Sequence, residues 1–321
     1  MTRVGMIGTG KHGARYLRHL PEVPALGLAA ICRRDREAGA RQAAALGCRF
    51  HATPEALIAD PEVEAVIAVL PPTLNARVAV AVARAGKALL IEKPLAVTVA
   101  ECRTILAAAA AHGITAMVAH TLRFNAVVRT LVAERPSLGA LHAAVITQRF
   151  EPSALDWLDR PAIAGGGIIL HTGVHSFDLL RHLTGSEAAR VRAASWRVVT
   201  TATEDAFAAI VEMEDGLRAM IGGSRATAGR SGAIELAGAA GQLVGDHVHG
   251  HAARLVGAER RPLDVGPPIH TVPAVLHEFA AALAARRAPA ITLADGAAAV
   301  ALAAACYRAI ASGRPEPVER C

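Results

Sequence analysis

Lys93 follows four apolar residues, Ala88-Leu89-Leu90-Ile91, and Glu92, and is followed by Pro94. Such a run reads as a short buried strand of a parallel sheet, which a proline cannot continue. In an open α/β sheet, ligands gather beyond the carboxyl ends of the strands. An ammonium at that rim is partly desolvated, and its proton becomes easy to move. A second group, Gly8-Thr9-Gly10-Lys11-His12-Gly13, comes after a short apolar strand, Arg3–Ile7, and before helical spacing from Ala14 to Leu20. In that setting a G-x-G-x-x-G turn fits a dinucleotide. Gly8 permits the tight turn, Gly10 lets a pyrophosphate approach the backbone, and Gly13 lets helix and strand pack closely. The helix N-terminus offers N–H groups and a positive dipole end to the phosphates. The third group is the histidine pair His171 and His175, at i, i+4 in a glycine-rich lead into an amphipathic helix. That spacing also presents two metal ligands, but no third ligand of matching context accompanies them, so no metal is expected.

The second strand, Leu26–Cys32, ends in Arg33-Arg34-Asp35. An acid at the strand end suits the ribose 2′-OH of NAD, and an arginine suits the 2′-phosphate of NADP. Two arginines hold that place and Asp35 falls two residues late, so NADP is expected over NAD. His247, His249 and His251 alternate and would put three imidazoles on one strand face. No acid or cysteine cluster accompanies them, and an exposed hairpin is expected. Asp156 and Asp159, flanking Trp157 in a loop, read as solvated, and Tyr16 and Trp196 as core or interface filler.

These groups need a scaffold. Further strands are expected at Val63–Leu70 and Thr115–Ala119, with helices at Glu37–Leu46, Leu74–Ala85 and Val99–Ala111 between them. Alternating strands and helices with short connections describe a doubly wound parallel sheet. The pattern stops near His120-Thr121. Beyond a helix at Asn125–Glu134, strands are expected at Leu141–Phe150, Arg190–Thr200, Ala206–Glu212, Leu217–Ser224, Ala233–Ala237 and Gln242–Val244. They are separated by turns such as Glu214-Asp215-Gly216, a mostly antiparallel pattern. Two long apolar helices, Ala274–Ala285 and Ala294–Ala311, end the chain. The expected architecture is therefore α/β: a dinucleotide-binding Rossmann domain over residues 1–121, then an α+β domain with a large sheet over 122–321, its terminal helices free to pack back on the first.

A chain of 321 residues is long for one core. Its 53% hydrophobic and 3% aromatic content describes a globular Ala/Val/Leu interior. The net charge of +6 is spread along the length, without a basic-aromatic stripe, which argues against a nucleic-acid partner. Five cysteines without metal spacing, no room for a signal peptide before the first strand, and no apolar run read as membrane-spanning point to the cytoplasm and to no membrane partner.

With Gly8–Gly13, Glu92-Lys93-Pro94 and Gly165–His175 in hand, the chain resembles the Gfo/Idh/MocA family of nicotinamide-dependent oxidoreductases. Arg123-Phe124-Asn125 is similar to the segment opening that family's second domain. Trp157 ahead of Gly165-Gly166-Gly167 matches its tryptophan and triple glycine, and Leu293–Gly296 through Tyr307–Ile310 its closing helix. The resemblance implies hydride transfer between a nicotinamide ring and a sugar-like or cyclitol alcohol. It implies cofactor contacts at Gly8–Gly13, Arg33, Arg34, Leu70, Pro71, Asn75, Glu92 and Lys93. Lys93, Arg123, His171 and His175 fall to the substrate, with a structural ion pair the other reading of Arg123. Lys93, His175 and His171 form the catalytic set, with His175 the proton acceptor. An imidazole titrating near neutrality is a well-matched base for the hydroxyl proton, and a neighbouring ammonium stabilises the developing alkoxide. The chain departs from the family in two places. His171 stands where aspartate is usual, which leaves His171 as the alternative base, and Asn75 stands where many relatives carry histidine. A homodimer or homotetramer is expected. Two other readings stay open: an NAD-dependent glycoside hydrolase of the same family, and a non-enzymatic dinucleotide-sensing regulator on this fold.

Overall fold

The computed structural model describes residues 1–321, which form two compact units. Unit 1 comprises Met1–Ala96, Ala100–Thr121 and His270–Ala297; unit 2 comprises Val97–Val99, Leu122–Ile269 and Ala298–Cys321.

In unit 1 the apolar runs become β1 (Thr2–Ile7), β2 (Leu26–Cys32), β4 (Ala65–Ala68), β5 (Ala88–Ile91) and β6 (Ala116–Val118), joined by an edge strand β3 (Arg49–His51). The six form one parallel sheet in the order β3-β2-β1-β4-β5-β6. Strand order reverses between β1 and β4, the switch point at which such sheets bind ligands. Ile7 pairs with Ala68 and Ala68 with Ile91, so Gly8, Val69 and Glu92 leave the sheet side by side. Between the strands run α1 (Gly13–His19), α2 (Arg36–Leu46), α3 (Pro54–Ala59), α4 (Asn75–Arg84) and α5 (Val99–Ala111). Asp35 starts α2, its Oδ1 accepting from Ala38 N at 3.0 Å. The short pair β3 and α3 was not anticipated: Arg49-Phe50-His51 has no apolar run, because an edge strand with one partner does not need one.

Unit 2 carries α6 (Ala126–Glu134), α7 (Pro161–Ala164) and α8 (Val174–Thr184) against a nine-stranded sheet. Its strands are β7 (Leu141–Arg149), β8 (Ala188–Trp196), β9 (Ala206–Met213), β10 (Arg218–Ser224), β11 (Ser231–Gly238), β12 (Gly241–Asp246), β13 (His251–Val256), β14 (Glu259–Leu263) and β15 (Glu316–Pro317). The order is β14-β13-β12-β11-β7-β10-β9-β8-β15, antiparallel except for β7 beside β10. One face buries Ile146, Phe207, Val211, Ile221 and Ile234 against Phe177 and Leu180 of α8. Phe177 and Phe207 meet edge-on at 6.0 Å, a geometry worth about 0.5–1.5 kcal/mol beyond the area it buries.

The chain closes with α9 (Thr271–Ala285) and α10 (Leu293–Ser312). By length and composition α10 reaches membrane-spanning size, contrary to the sequence expectation. Its residues Ala299–Ala303, Ala305 and Cys306 are nevertheless fully buried, and several of them join the unit 2 core. The three alternating histidines lie in a hairpin, as expected, but not on one strand face. His247 and His249 lie in the β12–β13 turn and only His251 is in a strand, because Asp246 accepts from the Val248 and His249 amides and bends the chain there. The strands β13 and β14 that follow were also missed.

Candidate active site

The glycine turn of unit 1 is shaped by its neighbours. Gly8 has φ +90°, and a Cβ there would lie 1.9 Å from Val69 O. A Cβ on Gly13 would lie 2.0 Å from Gly8 O. Only glycine fits at either position. At Gly10 nothing lies within 4 Å of the added atom, so backbone is open to a ligand where a pyrophosphate would approach. That combination fits a dinucleotide. Thr9 is buried and donates to Gln42 Oε1 at 2.7 Å, and Arg33 Nη1 reaches the same oxygen at 3.4 Å. Arg33 is thereby held along α2 at the carboxyl end of β2. Arg34 and Lys11 are exposed, and Leu70 and Pro71 half-buried just past β4.

Below this turn lies Glu92, 6% exposed. Its Oε1 accepts from His12 Nε2 at 2.8 Å and from Tyr16 OH at 2.6 Å, and its Oε2 from Lys93 N at 3.1 Å. Burial pushes the carboxyl up, but the bond and charge of His12, the charge of Lys93 and the Tyr16 hydroxyl outweigh it and hold Glu92 below the usual carboxylate range. Tyr16 is pushed well up, by burial first and then by the Glu92 charge. Tyr16 is therefore more than core filler. It and His12, one helical turn apart, tie the glycine turn to the end of β5. Asn75, fully buried, donates through Nδ2 to Pro94 O at 2.8 Å and Glu92 O at 3.4 Å, which fixes the carbonyls on both sides of Lys93. The Lys93-Pro94 peptide is cis. Glu92 and Asn75, expected at the cofactor, thus have their polar groups engaged in positioning Lys93, apart from Asn75 Oδ1, a buried acceptor that no protein donor reaches.

In unit 2 the histidines do not share a regular α-helix. Ile169–Gly173 forms a π turn that carries His171, and α8 starts at Val174 with His175 second. The i, i+4 geometry expected for the pair is widened accordingly. His171 is buried; its Nε2 donates to Ala164 O at 3.0 Å and its ring meets Trp157 edge-on at 5.6 Å. A neutral His171 so bonded carries its proton on Nε2. His175 is partly buried. Beside it Ser176 Oγ accepts from Gln148 Nε2 of β7 at 3.0 Å, both residues fully buried.

The triple glycine has a local cause. A Cβ on Gly166 would lie 2.5 Å from Tyr307 OH, and one on Gly167 2.2 Å from Glu204 O. Tyr307 OH donates to Glu204 Oε1 at 2.7 Å and accepts from Gly167 N at 3.2 Å, and the same Glu204 oxygen accepts from Ile169 N at 3.2 Å. Tyr307 and Glu204 thus grip the strand of chain leading to His171. Arg123 meets Asp178 of α8 in a fork, Nε to Oδ2 at 2.9 Å and Nη2 to Oδ1 at 2.6 Å, the ion-pair alternative to substrate contact. Asp159, read as solvated, instead accepts the amides of Thr201, Ala202 and Thr203, which hold its carboxyl far below the usual range. Among the residues that position the site, sequence reasoning missed Tyr16, Gln148 and Glu204. Only Tyr16 carried a signal, its i+4 spacing from His12. No three or more metal-ligating side chains are brought together.

Two family models match the chain: the oxidoreductase family with NAD-binding Rossmann fold over residues 2–120, and the GFO/IDH/MocA C-terminal domain over residues 127–244. Inositol 2-dehydrogenase 2 of Saccharopolyspora erythraea is 30% identical over 98% of this chain and 95% of its own. The 1,5-anhydro-D-fructose reductase of Ensifer adhaerens is 29% identical over 83% of each chain. The structure of a levoglucosan dehydrogenase in complex with NADH and L-sorbose superposes with TM-score 0.92 at 22% identity, over 100% of this chain and 99% of that one. At that identity the likeness establishes the fold, and the matches in sequence establish the rest: the chain belongs to the Gfo/Idh/MocA family of oxidoreductases.

Proposed function

We propose that the protein transfers a hydride between NADP(H) or NAD(H) and a secondary alcohol of a sugar, cyclitol or similar polyol. The observation that carries this reading is the fixing of Lys93 beside a turn open to a dinucleotide at Gly10: Glu92 and Asn75 hold the backbone around Lys93, and His12 and Tyr16 hold the turn to Glu92. The names of the relatives, an inositol 2-dehydrogenase and a 1,5-anhydro-D-fructose reductase, support the substrate class. When bound, the nicotinamide supplies the hydride acceptor. Lys93 orients the substrate hydroxyl and stabilises negative charge on its oxygen as the proton leaves. His175 accepts that proton. His171, with Nε2 held by Ala164, sets the surroundings of that base where a carboxylate is usual in the family. Arg33, steered by Gln42, favours the 2′-phosphate of NADP.

The test follows nicotinamide absorbance with each dinucleotide and a panel of myo-inositol, aldoses and 1,5-anhydro-sugars. Oxidation of at least one, with NADP preferred and the preference reduced in Arg33→Asp, is expected. Tight retention of dinucleotide without net turnover of any alcohol would overturn it.

We also propose a homo-oligomer assembled on the outer face of the unit 2 sheet. Ile210 and Met220 are paired across β9 and β10 and half exposed, and Val145 continues their row on β7. An apolar row of this kind on a sheet face marks an association surface. Light scattering of wild type against Met220→Asp checks it: a multiple of the monomer mass should fall toward one chain.

A further inference from the structure

Unit 2 contains a cavity of about 360 Å³ that includes His171 in its wall together with Arg225, Asp156, Asp159, Glu204 and Asp205. It lies within the size range of small-molecule sites. Three of its four carboxylates are already committed. Asp159 accepts the Thr201–Thr203 amides, Asp205 accepts the amides of Val198, Val199 and Thr200, and Glu204 accepts from Tyr307 and Ile169. Asp156 is exposed at the rim. Arg225 is different. Its backbone N–H is bonded to Asp205 O at 2.8 Å, but no carboxylate of the chain pairs with its guanidinium. Arg225 is half-buried, and that burial lowers its guanidinium to about 10. A half-buried guanidinium that no carboxylate of the chain pairs can be paired by a ligand's carboxylate, held through the two-pronged geometry of this side chain.

We infer that this cavity is a substrate subsite in which Arg225 receives a carboxylate, so that the favoured substrates are sugar acids whose alcohol end lies toward His171. The inference rests on the dehydrogenase reading above and narrows it. A carboxylate suits the site better than a phosphate. One guanidinium matches one carboxylate fork for fork, no second cation lines the cavity, and the surrounding acids oppose a doubly charged group more strongly.

The test is calorimetric titration of the NADH-loaded protein with D-glucuronate, D-galacturonate and D-gluconate, with D-glucose and D-glucose 6-phosphate as the neutral and phosphate arms. At least one acid should bind about tenfold or more tightly than D-glucose. Arg225→Gln should weaken that acid by at least about tenfold, and Arg225→Lys by less, since an ammonium keeps the charge and loses the fork. Asp156→Asn should tighten it. Melting curves of both Arg225 variants separate lost binding from lost folding, and if Arg225→Gln does not fold, Arg225→Lys and Asp156→Asn decide. Equal binding of acids and D-glucose, no binding of any acid, or tightest binding of D-glucose 6-phosphate would overturn the carboxylate subsite. Because binding is read without turnover, those results are distinct from failure of the dehydrogenase reading, which is the absence of oxidation of every alcohol, acids included.

Discussion

The two units hold their chemical side chains by the same device in different surroundings. In unit 1 a buried glutamate, Glu92, accepts a tyrosine hydroxyl from Tyr16 and fixes the amide of Lys93. In unit 2 a glutamate, Glu204, accepts a tyrosine hydroxyl from Tyr307 and fixes the amide of Ile169, two residues before His171. The difference lies in the remaining partners. Glu92 also takes a bond from His12, an ionisable group on the glycine turn, so the lysine and the dinucleotide turn are coupled through one carboxylate. Glu204 meets only neutral donors, and its carboxylate serves to pin backbone. One anchor therefore bears on charge at the site and the other on shape.

The largest effect expected from this contrast is at Lys93. Replacing it by alanine removes the group that stabilises the oxygen and leaves the glycine turn intact. Turnover should fall by about 10²–10⁴-fold, while dinucleotide affinity measured by fluorescence stays within a few-fold of wild type. Loss of dinucleotide binding to the same degree would show that Lys93 holds the cofactor and not the chemistry. His175→Asn should match Lys93→Ala in turnover, with His171→Asn less severe. The reverse order would move the base to His171.

Two glycines separate the anchors next. Gly167→Ala places a methyl against Glu204 O and the Glu204 carboxylate, at 2.2 and 2.5 Å. Overpacking of that kind costs about 1–3 kcal/mol, read as a lowered midpoint in denaturant unfolding. Gly10→Ala meets nothing within 4 Å. It should leave the midpoint nearly unchanged and weaken dinucleotide binding by about tenfold or more, since the methyl stands where the pyrophosphate approaches. A destabilised Gly10→Ala protein with normal affinity would overturn the assignment of that open backbone.

How far the sequence reveals this arrangement follows from where each partner sits. Unit 1 is legible, its edge strand β3 apart, because its strands are apolar runs and its site groups lie at strand ends; Leu26–Cys32 and Val99–Ala111 match the sequence expectation to the residue. Glu92-Lys93-Pro94 and the glycine turn carry their roles in local order. Glu204 does not. It sits in a loop 35 residues from Ile169 and 103 from Tyr307, and only the folded sheet brings the three together. The π turn at Ile169–Gly173 is hidden as well, as its residues have ordinary helical spacing. Arg225 likewise looks like any strand-end arginine until the cavity around it is seen.

Removing the tyrosine hydroxyls has a smaller effect and splits the anchors again. Tyr16→Phe takes one donor from Glu92, which keeps His12 and the Lys93 amide, and should cost about 1 kcal/mol. Tyr307→Phe takes a donor from Glu204 and the acceptor of Gly167 N together, and should cost about 2 kcal/mol. Equal costs in chemical denaturation would erase the distinction between them.

The smallest effect is in the acid limb of stability. Glu92 is held below its ordinary value, 4.5, so the unfolded chain binds its proton more readily than the folded one. Its contribution to stability is then fully present above that ordinary value and is lost as pH falls through the lowered folded value. Glu92→Gln should be less stable than wild type near neutrality, because a carboxylate bonded by His12 and Tyr16 has been replaced by an uncharged group. On acidification from about pH 6 to about pH 3 the two unfolding curves should converge. Asp159 and Asp205 of unit 2, also depressed, remain in both proteins, so acid still destabilises the variant and only the gap between the two changes. A gap that stays constant across that interval would mean that the bonds from His12 and Tyr16 do not outweigh the burial of Glu92, and the coupling of Lys93 to the glycine turn through its charge would fail with it.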